Sequence, residues 1–79
     1  MNRLRLPARL ESLEPFRRFV LDRMRQWELS PSMVPRVELV LEEVLANIVH
    51  YAYPGDAGGE MEVECALEGP DRFCLTVED

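Results

Sequence analysis

The chain has 79 residues and a formal net charge of −6; it is 47% hydrophobic and 30% charged, and all nine of its basic residues are arginine. That balance excludes disorder and coiled coil, argues against a nucleic-acid or anionic-membrane surface, where cations must offset phosphate charge, and leaves material for one small domain that removes only about 60–65% of its unfolded surface from water. No apolar run approaches the ~20 residues that cross a bilayer, and the first residues lack the apolar stretch of a signal peptide, so a cytoplasmic chain is expected.

Asn2 to Leu6 alternate polar and apolar, with Leu4 and Leu6 in phase, and stop at Pro7, which predicts a short edge strand. Leu13, Phe16, Val20, Met24 and Trp27 then recur at three- and four-residue steps among arginines and acids. This is an amphipathic helix, with Ser12 the expected N-cap and Pro15 in its first turn. A second helix is predicted from a cap on Ser30 or Ser32, the latter favoured because Pro35 then falls in the first turn, to about Tyr53, with Pro54 and Gly55 as its stop. Asp56, Ala57, Gly58 and Gly59 read as a loop.

Beyond that loop Met61, Val63, Cys65 and Leu67 alternate with Glu60, Glu62, Glu64, Ala66 and Glu68, and after Gly69, Pro70 and Asp71 the phase continues with Phe73, Leu75 and Val77. A three-residue loop pairs Leu67 with Phe73, Cys65 with Leu75 and Val63 with Val77, a β-hairpin with one wet face. Cys65 and Cys74 then face opposite ways and form no disulfide with each other; their spacing holds no metal.

The second helix carries the candidate chemistry. At about 100° per residue, with Glu43 set at zero, Val37, Val40, Leu41, Val44, Leu45, Ile48, Tyr51 and Ala52 span an arc from about 60° to about 200°, the expected core face, while Glu38, Glu42 and Val49 lie on the far side. Arg36, Glu43, Asn47 and His50 fall within about 40° of one another's mean direction and form a polar rail at the margin of that face. Asn47 is a poor residue for a helix interior because its amide competes for backbone partners. Glu43 and Asn47, at i and i+4, bring a carboxylate and an amide oxygen within reach of one ligand. His50, in the last turn, either complements the helix dipole or stands beside a ligand.

The stretch Glu42-Glu43-Val44-Leu45-Ala46-Asn47-Ile48-Val49-His50, the Pro54-Gly55 that follows, and the strand ending Thr76-Val77-Glu78-Asp79 resemble the anti-sigma-factor serine kinases of the GHKL (Bergerat-fold, histidine-kinase-like) ATPase superfamily. The resemblance implies an α+β fold, a two-layer α/β sandwich forming the N-terminal half of a Bergerat-type ATP-binding fold: strand, helix, helix, β-hairpin. It implies ATP and Mg²⁺ as cofactors, Asn47 as the magnesium ligand, Glu43 as general base, His50 near the phosphates and Asp79 as acceptor for the adenine amino group. Strand phase puts the Asp79 carboxylate on the inward face. The implied partners are a sigma factor and an anti-anti-sigma-like antagonist protein, with no direct nucleic acid and no membrane. Two further readings share these residues: a non-catalytic adaptor with the same fold, and the ATPase part of a histidine kinase. The sequence closes at Asp79, before the glycines and lid that follow that Asp in the family. The expectation is therefore one partial domain over residues 1–79, with weak Mg-ATP binding alone and self-association through the uncovered hairpin face.

Overall fold

The computed structural model describes residues 2–52, 59–70 and 72–79. In chain order it has β1 (Arg3–Pro7), a 3-10 turn (Leu10–Ser12), α1 (Leu13–Gln26), a second 3-10 turn (Pro31–Met33), α2 (Val34–Asn47), a π-helical turn (Ile48–Ala52), β2 (Glu60–Glu68) and β3 (Arg72–Glu78). The strands form one antiparallel sheet in the order β1-β2-β3. This is the α+β arrangement of strand, two helices and hairpin that the sequence predicts.

The hairpin register follows the apolar phase. Val63 lies opposite Val77, Cys65 opposite Leu75 and Leu67 opposite Phe73. Gly69 opens the connection at φ 69°, a backbone region that costs a residue with a Cβ. β1 pairs with β2 through Leu4 opposite Val63 and Leu6 opposite Met61, so both leucines share the face of the hairpin's apolar residues. On the other face Arg3 and Arg5 meet Glu60, Glu62 and Glu64 at 3.1–3.8 Å. The core lies between the sheet and the helices: Phe16, Val20 and Met24 of α1, Leu41 and Leu45 of α2, and Met61, Val63 and Cys65 of β2 are all buried.

The helix starts differ from the predicted caps. Ser12 has helical φ and ψ and makes no cap bond. Its hydroxyl donates instead to the Pro7 carbonyl at 2.6 Å, which ties the end of β1 to the start of α1. Ser30, not Ser32, caps the second helical segment: its side chain accepts from the Ser32 N–H, and the 3-10 turn leads into α2 with Pro35 in the first turn. α1 ends with Glu28 at φ 53°, the Glu28 N–H on the Arg25 carbonyl and the Leu29 N–H on the Met24 carbonyl. These are the two bonds of a Schellman cap, which Glu28 closes without glycine.

α2 is also rotated relative to the predicted core arc. Val40 is 49% and Val44 37% exposed, whereas Val49, placed by periodicity on the far side, packs against the core. Leu41 and Leu45 carry the buried stripe, and beside it Arg17 of α1 donates to Glu38 of α2 at 2.7 Å. The predicted helix end near Tyr53, the Pro54-Gly55 stop, Asp56, Ala57, Gly58, Asp71 and the side chains of Tyr51 and Ala52 lie outside the described residues. No helix among the described residues is long and apolar enough to cross a membrane.

Candidate functional site

α2 forms because Pro35 fixes the first turn while Leu41 and Leu45, one turn apart, anchor one stripe in the core. That anchoring leaves Arg36, Glu43 and Asn47 exposed on the opposite margin. The α-helix is unbroken from Val34 to Asn47, so Glu43 and Asn47 stack one above the other with Cβ atoms about 5–6 Å apart. A carboxylate and a carboxamide at that spacing, both open to solvent, can act on one ligand.

At Asn47 the helix changes hand-hold. Residues Ile48–Ala52 form a π-helical turn, in which the backbone bonds reach five residues and each residue turns through a smaller angle. His50 sits in this turn and is exposed. Its azimuth is therefore not the one that α-helical periodicity assigns. π-helical turns inside helices recur at functional sites because they re-aim side chains locally.

Val40 and Val44 complete the surroundings of the pair. They occupy the azimuth between Asn47 and the buried stripe, and their exposure gives the carboxylate and amide an apolar flank. Sequence periodicity missed this, because a valine facing solvent beside a site carries the same signal as one facing the core.

Asp79 follows the last residue of β3 and is exposed, so the inward carboxylate that strand phase predicts lacks the cover of the core. It borders a shallow depression of about 350 Å³ with Arg5, Gly59, Glu60, Glu62 and Glu78, which are groups of the sheet's charged face. The structure thus brings Glu43 and Asn47 together on α2, with His50 just beyond, and places Asp79 on a separate element.

The electrostatics concentrate elsewhere. Between the helices Arg17 grips Glu14 with two bonds of 2.7 and 2.9 Å while reaching Glu38. The Arg17 hydrogen bond holds the Glu14 carboxyl down at about 2. These groups rim an apolar groove of about 340 Å³ floored by Leu10, Leu13, Leu41 and Leu45. Burial pushes the Cys65 thiol up to about 11, which removes it as a nucleophile at neutral pH; Cys65 and Cys74 are both free thiols.

Among the described residues no three His, Cys, Asp or Glu side chains gather as a metal cage. Asn47 nevertheless fits magnesium, a hard cation that takes one or two protein oxygens, keeps several waters and completes its shell with substrate phosphates.

The histidine kinase-like ATPase domain family model matches residues 6–79. The chain belongs to that family and so to the GHKL class of ATP-binding domains. No curated protein and no solved structure matches it.

Proposed function

We propose that this chain belongs to a serine kinase of the anti-sigma-factor type, which transfers the ATP γ-phosphoryl group to a serine of an antagonist protein and binds a sigma factor in the cytoplasm. The observation that supports it best is the exposed Glu43–Asn47 pair, stacked on an unbroken helix immediately before a π-helical turn, in a chain of the histidine kinase-like ATPase family.

Bound Mg²⁺ supplies charge neutralisation on the phosphate oxygens. The Asn47 carboxamide oxygen, held on α2, would be the protein ligand for that ion. Glu43, one turn earlier and open to solvent, takes the proton of the acceptor serine hydroxyl as its oxygen bonds to the γ-phosphorus and the bond to ADP breaks. His50 adds a ring nitrogen from the π-helical turn, and Asp79, exposed at the end of β3, accepts from the adenine amino group. Val40 and Val44 give the carboxylate an apolar neighbour on one side.

Glu43→Ala separates a kinase from an adaptor of the same fold. Phosphoryl transfer from radiolabelled ATP to the antagonist protein should fall by about 10²–10⁴-fold, with sigma-factor binding retained. Transfer at the wild-type rate in Glu43→Ala contradicts the role given to Glu43.

A further inference from the structure

The groove between the helices is walled by two matching stripes. On one side stand Leu10, Leu13, Glu14 and Arg17, from the first 3-10 turn and α1; on the other stand Glu38, Leu41, Glu42 and Leu45 of α2. Each stripe steps i, i+3, i+4, i+7, the spacing by which one helical face meets another helix. The space between them is about 340 Å³, and with Leu10 53% exposed and Leu13 half-buried its apolar surface is open to solvent.

The walls decide the form of what they can take. Every lining residue belongs to a helical element, so the groove offers an extended peptide no strand edge to pair with. A segment seated there must satisfy its own backbone groups, which makes it a helix.

The charges decide its sign. Three carboxylates and one guanidinium line the space. Arg17 binds Glu14 through Nε and Nη2 and Glu38 through Nη1, so all three of its nitrogens are in use. Arg18 also bonds Glu14, from outside the groove. Glu38 bonds through one carboxylate oxygen and keeps the other, and the carboxylate of Glu42 has no partner among the described residues. An acidic segment finds no open cation on either wall. A basic one finds Glu42 and the second oxygen of Glu38, one turn apart on α2.

We propose that this groove docks a basic amphipathic helix of a partner protein, with its apolar side chains between the two stripes and its lysines or arginines on Glu42 and Glu38. The groove lies on the Leu41–Leu45 side of α2, away from the exposed Glu43 and Asn47, so the inference stands independently of nucleotide binding and of phosphoryl transfer.

A fluorescein-labelled peptide of about 18 residues, long enough to hold a helix, with leucines at steps of i, i+3, i+4 and i+7 and lysines elsewhere, is the probe. In fluorescence anisotropy at physiological ionic strength it should bind the chain one-to-one with micromolar affinity. The same residues in scrambled order, and the peptide with glutamate in place of lysine, should each bind at least about tenfold more weakly. Leu10→Ser and Glu42→Lys, both at exposed positions and both with the circular dichroism of the folded chain, should each weaken binding by about tenfold or more. Glu68→Lys, the same charge change on the sheet's charged face, should bind as wild type does. Absence of binding overturns the inference, as does a scrambled peptide that binds equally well, or binding that Leu10→Ser and Glu42→Lys leave intact. A loss in Glu68→Lys equal to that in Glu42→Lys overturns it too, because the attraction is then to the net charge of −6 alone.

Discussion

Arg17 links the two helices: it donates to Glu14 on its own helix and to Glu38 on α2. The Glu14 carboxyl titrates at about 2 in the fold against an ordinary 4.5, so the unfolded chain binds its proton first as pH falls. The stability that this bond contributes is complete above pH 4.5 and is lost as pH falls through about 2. The melting temperatures of wild type and Arg17→Gln should therefore differ by a constant amount near neutral pH and converge between those two values. The difference is small, because the pair is exposed and screened. A gap that does not change with pH contradicts this assignment.

At the level of the element, the rotation of α2 makes a direct prediction. Leu45 is 1% exposed and Val44 37%, so Leu45→Ala should cost about 2–5 kcal/mol in urea unfolding and Val44→Ala about 0.5 kcal/mol or less. Equal losses would return Val44 to the core. Period-two alternation and the Gly69-Pro70-Asp71 stretch made the hairpin register legible to the residue and β1 legible to within one residue at each end, because a half-buried strand has only two faces to choose between. The rail of Arg36, Glu43 and Asn47 was legible for a similar reason, since polar residues at helical spacing mark the margin away from the core. The azimuth of α2 was not. An apolar arc wider than the buried stripe left room for the helix to turn, and tertiary packing that periodicity does not carry decides which of its residues are buried. Ser12 does not cap α1 because the 3-10 turn before it already gives it helical φ and ψ, and of the two serines offered for the second helix Ser30 caps rather than the favoured Ser32; the π-helical turn after Asn47 has no signature in side-chain periodicity.

At the scale of the molecule, one layer of helices covers one face of a three-stranded sheet, and the candidate chemistry lies on the helix layer at the margin of the buried stripe. The arrangement separates stability from function. Phe16, Met61 and Val63 hold the layers together at zero exposure, while Glu43 and Asn47 are exposed. The central claim is that Asn47 presents Mg-ATP to Glu43. Titrating ATP into the chain with and without Mg²⁺, followed by heteronuclear NMR, reads even millimolar binding at named residues. The Asn47 side-chain amide should shift with Mg-ATP and not with ATP in a chelator, and Asn47→Ala should weaken binding by about tenfold or more and abolish its magnesium dependence. Shifts that bypass α2, or an Asn47→Ala chain that titrates as wild type does with the same magnesium dependence, would contradict it.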